Sequence, residues 1–255
     1  MSQPPARPRV TVTFAGSGDA FGSGGRFQAC IHLRVPGRAP VLLDCGATSL
    51  SALKSRGLDP GEISTVFVSH LHGDHFGGLP FLVLDGQFSQ RTSPLTVAGP
   101  PGTADRLRQA METAFPGSPA ARRRFALDVI ELAPGSTTTV NGTEVTSWEV
   151  DHPSGAPPLA LRLRAGGTTI AYTGDTAWTE NLAAAADHAD LLIAEAYQYD
   201  KPVPYHLRYT DLRTHRADLA SRRIVLTHMS ADMIARAAAG ELDFETARDG
   251  LAIQV

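Results

Sequence analysis

Residues 69–80 read SHLHGDHFGGLP, which places three histidines and one aspartate within six consecutive positions. The spacing of His70, His72, Asp74 and His75 does not put them on one face of a helix, where neighbours lie three or four residues apart. It predicts instead a loop that leaves a strand and curls around metal. Neutral imidazole is a good zinc ligand, and carboxylate oxygen binds zinc, manganese or iron. The alternative is a solvated or capped histidine loop that binds no metal.

The composition is that of an ordinary globular protein. Of 255 residues, 42% are hydrophobic and 19% are charged, and the formal net charge of −3 gives no indication of a general nucleic-acid binder. Residues 1–10 are proline-rich and lack an apolar stretch, so we expect no signal peptide. No run approaches the roughly 18 apolar residues that a membrane helix requires. Cys30 and Cys45 are expected to be reduced, partly buried thiols, and the sequence predicts a cytoplasmic protein.

Segments typical of strands and helices alternate along the chain. The pairs Asn141-Gly142 and Gly166-Gly167 lie between strand-like runs and predict hairpin turns. This pattern predicts an α/β protein with mixed sheets covered by helices. No linker or break in composition interrupts it, so we expect residues 1–255 to form a single domain.

The glycine-rich residues 16–25 follow a strand-like run, as a phosphate-binding loop would. They lack the G-x-G-x-x-G spacing and the lysine of a P-loop, and they lead into another strand rather than a helix. We therefore interpret them as a wide turn that leaves room near the site.

One short cluster cannot complete a two-metal site, so further ligands are expected at the ends of other strands. Three residues directly follow strand-like runs: His152, Asp175 and His228. Any one of them alone is more typical of a cap or of a structural histidine. Their shared position predicts that they complete the site.

The motif SHLHGDH resembles the H-x-H-x-D-H motif of the metallo-β-lactamase superfamily. Other motifs of the superfamily are similar, in the same order, to LLDCG, EVDHP, YTGDT and LTHMS. The resemblance implies an αββα sandwich of two mixed β-sheets flanked by helices, with a dinuclear metal site at one edge. It assigns ligands to two metals: His70, His72 and His152 to the first, Asp74, His75 and His228 to the second, and Asp175 to both.

A pair of divalent ions in such a site is suited to hydrolysis. A water that bridges two divalent cations loses a proton near neutral pH and becomes a nucleophile, and the cations stabilise negative charge on the attacked group. Asp74 would both bind metal and orient the bridging hydroxide. Zinc is the expected metal, and manganese or iron is also compatible with these ligands.

Further segments resemble the ribonuclease Z-like branch of the superfamily, namely FAGSGDAFGSGGR, LLIAEAYQ, YHLRYTDL and LTHMS. This resemblance implies that Glu195 and His206 form a pair in which the imidazole protonates the leaving oxygen and the carboxylate fixes its tautomer. Arg208 would hold a phosphate oxygen. The alternatives are an exposed loop histidine for His206 and a surface salt bridge for Arg208. The branch also suggests a homodimer.

The chain departs from the branch where ribonuclease Z carries its tRNA-gripping arm. That arm is inserted between the motifs matched by His152 and Asp175, which here lie only 23 residues apart with a hairpin between them. The histidine of the HEAT motif is replaced by Ala194, and the basic run at residues 122–124 is interpreted as a solvated helix end. We therefore do not expect tRNA as a partner, and a small or single-stranded phosphodiester fits better.

The leading hypothesis is a dinuclear metal-dependent hydrolase that acts as a phosphodiesterase on a small-molecule substrate. An alternative enzyme is a lactone, thioester or sulfate-ester hydrolase, because the same two metals would serve those reactions. A third, less favoured hypothesis is a non-catalytic metal-binding sensor, which would hold its metal without turnover.

Overall fold

The computed structural model describes residues 10–255, which form two β-sheets with helices against their outer faces. Residues 1–9, which carry most of the segment used to predict the absence of a signal peptide, lie outside the described residues. Within residues 10–255 no helix is long and apolar enough to cross a membrane. The predicted α/β class, with two mixed sheets flanked by helices, is confirmed.

The strands and helices are numbered in chain order. The strands are β1 (Thr11–Gly16), β2 (Cys30–Arg34), β3 (Val41–Leu43), β4 (Thr65–Phe67), β5 (Leu95–Gly99), β6 (Leu127–Glu131), β7 (Thr137–Val140), β8 (Thr143–Glu149), β9 (Leu159–Ala165), β10 (Thr168–Tyr172), β11 (Leu191–Glu195), β12 (Ile224–Thr227), β13 (Glu245–Thr246) and β14 (Ala252–Gln254). The helices are α1 (Ser49–Ser55), α2 (Gly73–Phe76), α3 (Leu79–Phe88), α4 (Thr103–Ala114), α5 (Glu180–Ala186), α6 (Tyr209–Thr214) and α7 (Ala231–Ala239).

Both sheets combine antiparallel and parallel strands. The first has the order β14-β1-β2-β3-β4-β5-β6, and the second has the order β13-β12-β11-β10-β9-β8-β7. Strands β3 to β6 are parallel in the first sheet, and β10 to β13 are parallel in the second. Parallel strands end at the same edge of a sheet, so the residues that follow them are brought together.

The core that holds the sheets together consists of apolar side chains from their facing surfaces. Alternate residues of β1 point inward, so Val12 and Phe14 are fully buried beside Leu161 and Ile193 of the opposite sheet. Two further apolar clusters attach the helices to the outer faces.

The two hairpins predicted from sequence are confirmed. Asn141 and Gly142 have φ values of 48° and 78°, and Gly166 and Gly167 have values of 59° and 79°. Two successive residues with positive φ are what a two-residue type I′ turn requires. The second hairpin, β9–β10, is the segment that separates His152 from Asp175.

Helix α3 was not predicted. Its sequence, LPFLVLDGQF, begins with a run of six apolar residues and shows no helical period, and a short apolar run of this kind does not distinguish helix from strand. Leu82 and Val83 face the interior, whereas Phe81 and Phe88 are 43% and 80% exposed.

Two smaller predictions differ from the structure. Residues 122–124 form a loop between a short 3-10 turn at Ser118–Ala120 and β6, rather than the end of a helix. Cys30 and Cys45 are unbridged, as expected, but fully rather than partly buried. Burial raises the pKa of the Cys30 thiol to about 12, so it is inert at neutral pH.

Candidate metal centre

All seven predicted metal ligands lie at one edge of the sandwich. His70 follows β4, Asp175 follows β10 and His228 follows β12, so each stands just beyond the carboxyl end of a parallel strand. The structure gathers the seven into two groups, in each of which the potential ligand atoms lie within 4.8 Å of one another.

The first group consists of His70, His72 and His152. The Nε2 atom of His152 lies 3.0 Å from the Nδ1 atom of His72, and the ring centroid of His70 lies 4.9 Å from each of the other two. The other nitrogen of His152, Nδ1, lies 3.0 Å from the carbonyl oxygen of Tyr205. A hydrogen bond from Nδ1 to that carbonyl fixes the tautomer that leaves Nε2 free to bind a metal.

The second group consists of Asp74, His75, Asp175 and His228. The Nε2 atom of His228 lies 3.1 Å from Asp74 Oδ2 and 3.3 Å from Asp175 Oδ2. The Nε2 atom of His75 lies 3.3 Å from Asp74 Oδ2 and 3.2 Å from Asp175 Oδ1. Asp175 therefore faces both imidazoles of this group.

Three buried atoms in these groups make no hydrogen bond of normal geometry to a described residue: His70 Nε2, and His75 Nε2 and Asp175 Oδ1, which lie 3.2 Å from each other. Buried polar atoms are almost always paired, so such a concentration of unpaired nitrogen and oxygen needs an explanation. Imidazole nitrogen and carboxylate oxygen together suit zinc, manganese or iron. The donor set and its unpaired atoms therefore fit divalent metal ions.

The carboxylates and His70 have the charge states that metal binding needs. By contrast, Asp175 outweighs burial and raises the pKa of His75 and, to about 9, that of His228, so both of these imidazoles must lose a proton to bind metal. Burial raises the pKa of Asp175, but the neighbouring His228 and His75 outweigh burial and hold it well below the usual range, so the carboxylate is ionised. The pKa of Asp74 is lowered in the same way, with His75 as the main opposing charge. Burial lowers the pKa of His70 far below its ordinary value, which keeps this imidazole in the neutral form that binds metal.

Asp44 supports the second group from behind and was not identified as a site residue from sequence. It is fully buried, has a φ of 59°, and accepts hydrogen bonds from the backbone N–H and hydroxyl of Ser69 at 2.7 and 2.8 Å. It also accepts one from the Tyr172 hydroxyl at 2.8 Å, and its Oδ2 lies 2.7 Å from His75 Nδ1. The last contact directs His75 Nε2 into the group. The available signal was its place in LLDCG, directly after a buried strand.

The predicted pair Glu195 and His206 adjoins the second group. His206 Nδ1 contacts Glu195 Oε1, and Glu195 Oε2 accepts backbone N–H groups of Thr176 at 2.9 Å and Leu207 at 3.2 Å. Burial alone would lower the pKa of His206, but the hydrogen bond and charge of Glu195 raise it above its ordinary value. Glu195 therefore favours the protonated form of His206, whose side chain is one-fifth exposed.

The side chain of Arg208 binds Asp211 of helix α6, which directly follows it. Its Nη2 and Nε atoms bind the Asp211 carboxylate at 2.6 and 3.0 Å, and its Nη1 atom reaches the Asp200 carbonyl at 3.3 Å. The salt bridge that sequence left as the alternative is therefore present. Phosphate binding by Arg208 stays a prediction, since a phosphate would have to compete with Asp211.

The glycine-rich turn also meets the site. The carbonyl oxygen of Ser17 accepts the backbone N–H of His228 at 3.2 Å, and Asp19 accepts the N–H and hydroxyl of Ser23 at 2.9 and 2.7 Å. The turn thus supports His228, a predicted ligand, through its backbone.

Comparisons with known proteins extend along nearly the whole described chain. A family model described as "Anti-Pycsar protein Apyc1" matches residues 10–248. Ribonuclease Z of Methanothermobacter thermautotrophicus is 26% identical over 272 residues, covering 87% of this chain and 87% of that protein.

Solved structures are similar over the same extent. The short form of human tRNase Z (ELAC1) superposes with a TM-score of 0.78 at 26% identity, covering 95% of this chain and 98% of that one. The metallo-β-lactamase fold protein YhfI of Bacillus subtilis has a TM-score of 0.77 at 21% identity, covering 97% of this chain and all of that one. At that identity, the second likeness concerns the fold alone.

Proposed function

The chain belongs to the family described as anti-Pycsar protein Apyc1, within the ribonuclease Z-like branch of the metallo-β-lactamase superfamily. It is a metal-dependent hydrolase, and we propose that it is a dinuclear phosphodiesterase. Its substrate would be a small or single-stranded phosphodiester, such as a cyclic or terminal one. The observation that carries the proposal is the Glu195–His206 pair, a buried carboxylate and a partly exposed imidazole, placed beside two groups of potential metal ligands.

In this proposal His70, His72 and His152 bind one metal, and Asp74, His75 and His228 bind the other. The resemblance implies that Asp175, which lies in the second group, serves both metals. When bound, two divalent ions supply an activated water and stabilise the negative charge that develops on the phosphoryl oxygens. Zinc is the metal we expect, and manganese or iron would fit the same donors.

The chain's own residues supply orientation and a proton. Asp74 lies within reach of both His75 and His228, so its carboxylate is placed to orient the attacking water. With its Nδ1–H directed at Glu195, whose carboxylate favours the imidazolium form, His206 carries its second proton on Nε2 and donates that proton to the leaving oxygen. Glu195 is itself fixed by the backbone N–H groups of Thr176 and Leu207, so the pair does not need to reorganise.

The short segment between His152 and Asp175 favours a small substrate. The β9–β10 hairpin occupies this interval, with two-residue turn geometry at Gly166 and Gly167 and no long excursion of the chain. The net charge of −3 adds no general attraction for a polynucleotide. A substrate held mainly by the metal centre and its immediate walls therefore fits better than tRNA.

A homodimer is the second part of the proposal. Phe81 and Phe88 project from the outer face of α3, and Phe81 meets Phe115 edge to face at a centroid distance of 5.2 Å. Large apolar side chains exposed together on one face often mark an interface, so this face suits a second copy of the chain. Light scattering should give twice the chain mass, and Phe88→Asp should shift it to the monomer while Gln90→Asp does not. A monomeric unmodified protein would refute this part.

The function is tested by a substrate panel on metal-loaded protein. Phosphodiesters, namely bis(p-nitrophenyl) phosphate and cyclic mononucleotides, are compared with a lactone, a thioester and a sulfate ester. We expect turnover of the phosphodiesters, lost in His206→Ala and kept in His188→Ala, whose imidazole is 89% exposed. Acyl or sulfate-ester hydrolysis without phosphodiester turnover would favour the alternative hydrolases. Full metal occupancy with no turnover of any ester would favour the sensor.

A further inference from the structure

A cavity lies at the edge of the sandwich opposite the metal centre. Its volume is about 340 Å³. Its walls are apolar residues from the ends of strands in both sheets, including Leu33 and Val41 from the first sheet and Leu163 and Ile170 from the second. The metal ligands follow the carboxyl ends of β4, β10 and β12, whereas Val41 and Ile170 lie near the amino ends of β3 and β10. The two sites are therefore separated by the length of the sheets.

The cavity also has polar groups that are not used by the fold. Thr143 and Thr168 line it, are only 5% and 8% exposed, and their hydroxyls make no hydrogen bond to another described residue. Neither hydroxyl is committed to a described residue, so both are available to a molecule that occupies the cavity.

Arg38 lies at the mouth of the cavity. Its Nη1 atom donates to the Gly142 carbonyl at 2.6 Å, but no carboxylate of residues 10–255 lies within 4 Å of its guanidinium. Its neighbour Arg164, by contrast, is paired with Glu144 at 3.4 Å. The mouth of the cavity thus carries one uncompensated positive charge, in front of apolar walls.

We propose that this cavity binds an amphipathic monocarboxylate with a hydrocarbon body of medium chain length. The apolar walls take the hydrocarbon, Arg38 binds the carboxylate, and Thr143 and Thr168 hydrogen-bond near the head group. A nucleotide is disfavoured, because these walls would leave its polar edges without partners. The proposal does not depend on the phosphodiesterase activity.

The test uses the full chain and decanoate below its micellar concentration, with decanol as the uncharged analogue. Calorimetric titration should show saturable binding of decanoate with one molecule per chain. Arg38→Gln should weaken binding at least about tenfold, because a charge-assisted hydrogen bond is lost. Arg164→Gln is the matched control and should leave the affinity unchanged.

A second variant fills the cavity instead of altering its charge. Ala165 lines the cavity at the end of β9, and Ala165→Leu should abolish decanoate binding while raising the melting temperature. A cooperative thermal unfolding transition in this variant would show that the fold is intact, independently of any hydrolytic activity. Absence of saturable binding, equal losses in Arg38→Gln and Arg164→Gln, or undiminished binding in Ala165→Leu would each overturn the proposal.

Discussion

The two opposite edges of the sandwich are built by different physical means. At the metal edge, ionisable side chains are held by loops and by the one-turn helix α2, which carries Asp74 and His75 where the sequence predicted a loop. Asp44, Tyr205 and His228 at this edge have positive φ values of 59°, 64° and 54°. At the opposite edge, the chain reverses through hairpin turns at Asn141 and Gly166, and the space between the sheets is lined by apolar residues.

This difference shows where the backbone adopts unfavourable positive φ values. A non-glycine residue with positive φ carries a conformational cost and persists only when its surroundings fix it. At the metal edge these residues each contact the site: Asp44 contacts His75, the Tyr205 carbonyl meets His152, and His228 is itself a predicted ligand. At the other edge, positive φ occurs where turn geometry alone demands it. Substitutions at the metal edge should therefore change activity, and those at the opposite edge should change stability.

The largest effect is expected for Asp175→Ala. This change removes the carboxylate that faces both His75 and His228, so phosphodiester turnover should fall by at least about 10³-fold and metal content should drop. Turnover of bis(p-nitrophenyl) phosphate and elemental analysis measure the two effects. Asp187→Ala, at a half-exposed position, is the control. Retained turnover in Asp175→Ala would remove Asp175 from the site.

Loss of the proposed acid should be the next largest effect. His206→Ala should lower kcat by about 10²- to 10⁴-fold, since general acid catalysis contributes that much, while metal content stays unchanged. Glu195→Gln should lower kcat less, because it disturbs the orientation of His206 but leaves the imidazole in place. If His206→Ala instead loses metal with its activity, His206 is a ligand and not an acid.

Substitution of Asp44, which contacts a predicted ligand, should lower the affinity for metal less than the loss of a ligand does. Asp44→Asn alters the hydrogen bond that orients His75, and outer partners of this kind are worth about 10- to 100-fold in metal affinity. Competition with a chelator measures this affinity. The exposed Asp128→Asn serves for comparison, and equal affinities in the two variants would argue against a supporting role for Asp44.

His32, away from the metal edge, should make stability depend on pH. It is 2% exposed, and burial together with the charge of Arg34 lowers its pKa to about 4. Between pH 6.5 and 4 the unfolded chain binds this proton and the folded chain does not, so the free energy of unfolding falls as pH falls, by up to about 3 kcal/mol. Urea unfolding of the parent and His32→Gln should diverge in slope across this window. Parallel curves would mean that His32 titrates normally.

The smallest effect is expected at the opposite edge. Asn141 occupies the positive-φ position of the β7–β8 turn, and its Nδ2 atom donates to the hydroxyls of Thr65 and Thr96, both at 3.0 Å. Asn141→Ala should lower the free energy of unfolding by about 1–2 kcal/mol and leave turnover unchanged. A loss of turnover well beyond the loss of folded protein would show that the two edges are coupled.

The features that could be predicted from the sequence are mainly those that neighbouring residues determine. The hairpin at Asn141-Gly142 was predictable because few other residue pairs adopt positive φ twice. The convergence of His152, Asp175 and His228 was predictable because residues that follow strands meet at a sheet edge. The pairing of Glu195 with His206 came from the resemblance rather than from spacing.

What sequence did not reveal depends on contacts between distant segments. Asp44 meets Tyr172 across 128 positions of sequence, and no local pattern marks such a partner. Helix α3 was missed because an apolar run without period fits helix and strand equally. The cavity beside Arg38 is lined by residues of both sheets, which come together only in the folded chain and which no single segment encodes.

The central claim is that two metal ions act together at the metal edge. The most direct measurement is a titration of metal-free protein with zinc, following bound metal and turnover of bis(p-nitrophenyl) phosphate in the same samples. We expect turnover to become maximal only as binding reaches two ions per chain, and Asp175→Ala to lose that second step. Full turnover at one ion per chain, or turnover independent of metal, would contradict the account.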